Sequence, residues 1–382
     1  MIPPSLAAKS RNMMAYPETD IQSSSAASEP DRLLNQCRYP RFRMPDPAKW
    51  LPGMLVFGLL TGCALQNPVT PPEMGNGKEE PLRTEFRHAA MGTLFRIVVV
   101  GQSAVDPGNA VEEAFARIDE IEAVASDWNR ESEIREWCRS APHHEPVSVS
   151  ADLATLLRHS LTIHEQSEGC FDISLGSLTR LWRRCFLANR LPSESDLERA
   201  FLQTGMNFIE LNGREARLTK GGVGLDLGGI AKGYAVDQAL KLMVDRGHPH
   251  TLVDGGGDLA FSVPHSDSAG WRIVLPSGPR RFETAGAVAT SGDSEKYVEI
   301  DGHRYSHILD PQTGLGLKDS SLVTVVATSA TIADAWATAC SVPGVWPSAN
   351  KSEMKDYPLG LEKLSVSGEV ESWGVFPESV LP

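Results

Sequence analysis

Eleven consecutive residues constrain this chain more than any others: Leu225-Asp226-Leu227-Gly228-Gly229-Ile230-Ala231-Lys232-Gly233-Tyr234-Ala235. They read as a buried strand, a glycine turn and a helix start. Helical spacing then runs over residues 231–246 and stops at Gly247, a residue suited to the left-handed conformation that closes helices. Glycines let backbone amides approach an anion closely, and a helix N-terminus favours negative charge. Lys232 adds a positive charge in the first turn. The spacing is neither that of a P-loop nor that of a dinucleotide fingerprint. On this segment alone two readings stay open, a phosphate or nucleotide site and a purely structural turn.

Other segments extend the case. Asp254-Gly255-Gly256-Gly257-Asp258 follows an apolar strand at 251–254 and is a second glycine turn at a strand end. Its alternative is a simple β-turn. His307 lies in Tyr305-Ser306-His307-Ile308-Leu309-Asp310-Pro311, between a strand and a Pro/Gly-rich turn, where catalytic groups are often held. A lone histidine is more often structural than catalytic, so spacing by itself leaves both readings open. Thr331-Ile332-Ala333-Asp334-Ala335-Trp336-Ala337-Thr338 opens a helix. Asp334 and Thr338 are four apart and project from one face, a carboxylate and a hydroxyl suited to a hard cation such as Mg²⁺. The competing reading makes Thr331 and Asp334 a capping box.

The rest of the pattern sets the fold class. With 382 residues, 41% of them apolar, the chain can bury a substantial core. Helical periodicity appears behind Asn109, at 153–161 and behind Ser193 and Asp196. Strand patterns appear at 94–100, 208–211, 215–219, 271–275, 297–300, 304–309 and 322–328. Helices early and antiparallel-looking strands late predict α+β rather than a doubly wound sheet. The formal charge of −13 argues against nonspecific nucleic-acid binding, which needs clustered Lys and Arg. None of the six cysteines forms a C-x-x-C pair, which speaks against a zinc knuckle or a thioredoxin-type motif.

The amino end reads as a targeting segment. Residues 1–45 are rich in Ser, Pro, Arg and Asp without periodicity, an extension or a mis-assigned start, with Met44 and Met54 as other initiators. The apolar run 51–60 is too short to span a ~30 Å hydrocarbon core and has the length of a signal-peptide h-region. It ends in Leu60-Thr61-Gly62-Cys63, which resembles a bacterial lipobox. That resemblance implies a signal segment at 46–63, cleavage before Cys63 and lipidation of its thiol. Residues 64–84 read as a flexible tether, 85–345 as the folded domain and 346–382 as an irregular tail.

Taken together, the segments resemble the ApbE family, the FAD:protein FMN transferases. The resemblance runs from Met91 to Ser341 through Met91-Gly92-Thr93, Trp128 with Ser132-Glu133-Ile134, Phe171-Asp172-Ile173-Ser174-Leu175-Gly176 with Leu181-Trp182, the Gly228 turn, Thr290-Ser291-Gly292-Asp293 with Glu295, Ser306 to Pro311, and Asp334 with Thr338. It implies a single bilobed α+β domain with a mostly antiparallel sheet and flanking helices, and FAD in the cleft. It places Met91, Trp128, Cys170, Phe171, Asp172, Gly228, Lys232, Tyr234 and Ile308 at the flavin nucleotide. It makes Asp334, Thr338 and the Ala231 carbonyl the Mg²⁺ ligands, with His307 or Asp310 accepting the proton of an acceptor Thr or Ser hydroxyl. The chain departs from the family pattern at Cys170 and in carrying Asp254 and Asp258. The expected reaction moves FMN from FAD to partner proteins of membrane redox complexes and releases AMP. The expected location is the bacterial periplasm, lipid-anchored to the inner membrane rather than the outer. Two other activities share these residues: FAD pyrophosphatase, giving FMN and AMP, and a non-catalytic flavin-binding lipoprotein.

Overall fold

The computed structural model describes residues 69–70, 81–101, 106–292, 297–318, 321–345 and 358–376. Cys63, the signal segment and the amino-terminal extension lie outside the described residues, as do Asp293 and Glu295.

Eight strands build the central sheet: β1 (Arg83–Ala90), β2 (Thr93–Val100), β3 (Thr251–Gly255), β4 (Leu259–Phe261), β5 (Gly286–Ser291), β6 (Leu322–Ala327), β7 (Gly360–Leu364) and β8 (Val370–Gly374). Each pairs antiparallel with the next, so their order across the sheet is their order along the chain. The expected α+β class with a mostly antiparallel sheet and flanking helices is the one observed. The described residues all fall in one compact unit.

Period-two alternation explains how the sheet is covered. On β2, Phe95, Ile97 and Val99 join the main core, whereas Val98 and Val100 join a second cluster with Leu252, Phe261, Trp271 and Ile273. Both faces are buried, so β2 reads as a nearly continuous apolar run. The second face is closed by a small sheet of Trp271–Leu275 and Gly278–Phe282, to which Val69–Thr70 adds a strand. Part of the stretch read as a tether is therefore paired.

The helices enter as insertions. Between β2 and β3 come α1 (Gly108–Ala125), α2 (Glu133–Ser140), α3 (Ala151–Gln166), α4 (Gly176–Leu187), α5 (Glu194–Phe201) and α6 (Ala231–Asp245). Between β6 and β7 comes α7 (Ala330–Ser341), and the hairpin of Tyr297–Ile300 and His303–Ser306 lies between β5 and β6. Helices α1, α6 and α7 bury Ile118, Val236 and Trp336 in the main core. Gly247 takes φ +90°, the left-handed closure expected after α6.

Three expectations need correction. Residues 225–227 form no strand, because the chain there binds the turn before α4: the Asp226 amide donates to Ile173 O at 2.8 Å, and the Gly176 amide to Gly224 O at 3.0 Å. Asn109 does not cap α1, which begins at Gly108 with Asp106 accepting its amide at 3.1 Å. The tail is not wholly irregular, since β7 and β8 complete the sheet. Its alternation is hard to read because β8 is an edge strand with mostly exposed side chains.

Helices α6 and α7 touch where α6 has no side chain. A Cβ on Gly233 would meet the Ala330 carbonyl carbon at 2.6 Å and Asp334 Cβ at 2.9 Å. Gly233→Ala is therefore expected to cost about 2 kcal/mol or more in denaturant unfolding. Gly108→Ala, at the first residue of α1, where the nearest atom would lie at an ordinary 3.5 Å, serves as the unpacked control.

Candidate functional site

The first turn of α7 is held by α6. Asp237 accepts the Ala330 amide at 2.7 Å, the Thr331 amide at 2.8 Å and the Thr331 hydroxyl at 2.5 Å. Ser329 is the N-cap and accepts from the Ile332 amide. Thr331 and Asp334 are thus not a capping box, because Ser329 and Asp237 already satisfy the helix's first amides. Asp334 is left to face α6, where it accepts the Gly233 amide at 3.1 Å.

That carboxylate is almost wholly buried, and so is a second one. Lys232 pairs closely with Asp258 and lies 3.5 Å from Asp334. Burial works against the ammonium's charge, but the two carboxylates outweigh it and hold its pKa above the ordinary value. Burial, reinforced by Asp334, pushes Asp258 up to about 7. The second glycine turn presents Asp258 by folding on Asp254, which accepts the Gly256 and Gly257 amides at 2.9 Å and an Arg96 Nε–H at 3.0 Å. The sequence showed this turn but not its use, because a link between residues 232 and 258 has no local signature.

Beside the Lys232 cluster, the missing side chain of Gly229 makes a small cradle. A Cβ there would lie 3.0 Å from Thr338 Oγ1 and 3.3 Å from the Phe171 ring. Ser291 Oγ is 3.4 Å from the Thr338 hydroxyl. Phe171, Thr338, Ser291 and the glycine turn are therefore brought together, although they come from four separate segments. The oxygen donors suit a hard cation: Asp334 and Thr338 on successive turns of α7, with Ala231 at the start of α6 beside them. Among the described residues no three His, Cys, Asp or Glu side chains gather as a metal site. A cation here would draw on one carboxylate together with hydroxyl, carbonyl and substrate oxygens.

The remaining expected residues divide. Gly228 donates its amide to Asp226 at 2.9 Å, and Asp226 lies 3.4 Å from Arg183, whose guanidinium covers one face of Trp128. Asp172 caps a short 3-10 turn, taking the Ser174 amide at 2.7 Å and hydroxyl at 2.6 Å, and burial raises its carboxyl. Burial raises the Cys170 thiol, and Asp310 adds to it, so the His307–Asp310 loop approaches this segment. His307 is exposed on that loop, and Ile308 donates its amide to Ser306 Oγ at 3.0 Å. Asp310 accepts the Gln312 amide at 2.8 Å and the Thr313 hydroxyl at 3.1 Å, so both its oxygens close the turn. Met91 sits at φ +50° between β1 and β2, its amide on Glu122 at 2.9 Å. Tyr234 is turned into the core, and its hydroxyl donates to Asp152 at 2.7 Å.

The sequence profile of the ApbE family matches residues 91–354. An FAD:protein FMN transferase of Vibrio cholerae is 28% identical over 308 residues, covering 77% of this chain and 87% of its own. One of Treponema pallidum is 32% identical over 279 residues, covering 66% and 77%. Among solved structures, the ApbE protein of Thermotoga maritima superposes with a TM-score of 0.65 at 29% identity, over 76% of this chain and 96% of its own.

The buried charges make a stability prediction. Lys232→Gln leaves Asp258 and Asp334 facing each other, and should cost about 3 kcal/mol at pH 8. Asp258 already sits at about 7 against an ordinary 3.8, so the folded chain keeps a proton that the unfolded chain has released. Such a group favours folding more as pH falls through that window, and without the ammonium the effect grows. Urea titrations should show the variant regaining part of its deficit between pH 8 and pH 5; a deficit independent of pH would contradict the pairing.

Proposed function

The chain belongs to the ApbE family, and from that membership we propose that it transfers FMN from FAD to a Thr or Ser hydroxyl of partner proteins, releasing AMP in an Mg²⁺-dependent reaction. The observation that carries this reading is that α7 brings Asp334 to the Gly233 amide and Thr338 to Gly229, both at the start of α6. A buried carboxylate and a half-buried hydroxyl one helical turn apart, beside a glycine-lined helix start, suit a pyrophosphate and its cation together.

In this reading Asp334, Thr338 and the Ala231 carbonyl hold Mg²⁺, which when bound neutralises charge on the pyrophosphate oxygens. The glycine turn, with no side chain at Gly229, lets the same pyrophosphate approach the start of α6 closely, and Lys232 offsets the charge of Asp258 and Asp334. The acceptor oxygen attacks the FMN-side phosphorus, a new P–O bond forms, the bond to the bridging oxygen breaks, and AMP leaves with that oxygen. Phosphoryl transfer of this kind depends mainly on positioning and charge. The acceptor's proton passes to His307 or Asp310, which share one loop.

The lipobox at residues 60–63 supports an anchor at Cys63, a periplasmic site facing the inner membrane, and acceptors among membrane redox complexes. Among the described residues no helix is long and apolar enough to cross a membrane.

The test incubates the protein with FAD, Mg²⁺ and a candidate flavoprotein acceptor, then weighs the acceptor intact and assays AMP. The acceptor should gain the mass of one FMN residue, and chelation of Mg²⁺ should abolish the gain. Asp334→Ala should reduce transfer ~100-fold or more. AMP release without acceptor gain would favour the pyrophosphatase, and bound FAD with neither product the carrier.

A further inference from the structure

Trp128 lies in the loop between α1 and α2 and is 65% exposed. The loop's backbone is set by its own bonds: the Asn129 amide to Ser126 Oγ at 3.2 Å and the Ser132 hydroxyl to Ser126 O at 2.5 Å. The indole is held from elsewhere. Arg183 on α4 places its guanidinium carbon 4.0 Å from the ring centroid, covering one face. One arm of that guanidinium pairs with Asp127, the residue next to Trp128. The other reaches Asp226 at 3.4 Å, and the second oxygen of Asp226 accepts the Gly228 amide at 2.9 Å.

The planar Arg183 guanidinium therefore ties the aromatic loop to the chain entering the glycine turn. Both carboxylates it bridges are largely buried, at 9% and 16% side-chain exposure. Arg135 adds positive charge near Asp127 and Arg180 near both, while Arg183 pairs with both directly and so ties loop to turn. Arginine suits this place because its flat fork binds two carboxylates while stacking on a ring; a lysine keeps the charge but not the stack.

We propose that Arg183 is a positioning residue for FAD, clamping one face of Trp128 so that the other receives the flavin ring, and fixing the distance from that ring to the Gly228–Gly229 turn. The proposal rests on the transferase reading, in which Trp128 and Gly228 contact the two parts of one FMN moiety. Arg183 touches neither substrate nor reacting atoms. Its effect is to have the site ordered before FAD arrives, which lowers the ordering cost of binding.

The test uses the full chain with FAD alone, then with acceptor and Mg²⁺. Arg183→Lys keeps a charge between Asp127 and Asp226, and its thermal unfolding checks that the fold is retained. It should weaken FAD binding by about three- to tenfold. KM for FAD should rise by the same factor, with kcat at saturating FAD within about twofold of the parent. The long-wavelength shoulder that stacking on an indole adds to flavin absorbance should diminish. In a Trp128→Ala background Arg183→Lys should add less than about a twofold further loss, because the clamp then has nothing to hold. Unaltered FAD affinity and absorbance in Arg183→Lys would overturn the proposal, and so would an equal effect with and without Trp128. A parent chain that fails to bind FAD would overturn the transferase reading and this one together. A parent that binds and transfers while Arg183→Lys is indistinguishable from it would overturn only the role of Arg183.

Discussion

The site depends on one close approach, that of α6 and α7 at Gly233. With no Cβ in the way, the Gly233 amide reaches the Asp334 carboxylate, while Asp237 on the next turn of α6 caps the first amides of α7. Two helices separated by nearly a hundred residues are thereby locked in one register. That register determines where Asp334 and Thr338 stand relative to the glycine turn. A side chain at 233 would push the helices apart and separate Asp334 and Thr338 from the glycine turn, so the packing of two helices turns on one glycine.

Such a register places carboxylates where water cannot reach them, and the fold answers with a cation of its own. Lys232 lies in the first turn of α6, between Asp258 and Asp334. Burying these charges is costly unless each has a partner. Two of the three charges come from the glycine-rich segments, so the turns that permit close approach also carry the charges that make it sustainable. Asp258 arrives by a turn folded on Asp254 and Arg96, so β2 and β3 help set the electrostatics of a helix-borne site.

A second organiser is α4. Its Gly176 closes on Gly224, its Trp182 donates to Ser306 O at 3.0 Å, and its Arg183 holds Trp128 and Asp226. Three functional segments, the glycine-turn approach, the His307 loop and the aromatic loop, thus lean on one helix. Its apolar face packs Leu178 and Trp182 against Tyr305 and Leu309 of that loop. The membership in the ApbE family accounts for the motifs these segments carry; α4 accounts for how they are held in place.

Much of this was legible in the residue order. Apolar strand patterns marked β2, β3 and β6, 3.6-residue spacing with Gly247 marked α6, and the four-residue step from Asp334 to Thr338 marked a shared helix face. These follow from local geometry, which sequence carries directly. The tertiary structure decided the rest. It decided that 225–227 is an irregular crossing rather than a strand, since its partners are residues 173–176. It gave the α7 cap to Ser329 and Asp237, leaving Asp334 to serve the site, and it turned Tyr234 inward to Asp152. It chose Asp258 as the partner of Lys232 and Arg183 as the support of Trp128. Each of these is a contact between residues far apart in the chain, and such contacts depend on how whole elements pack, which no local pattern of residues records.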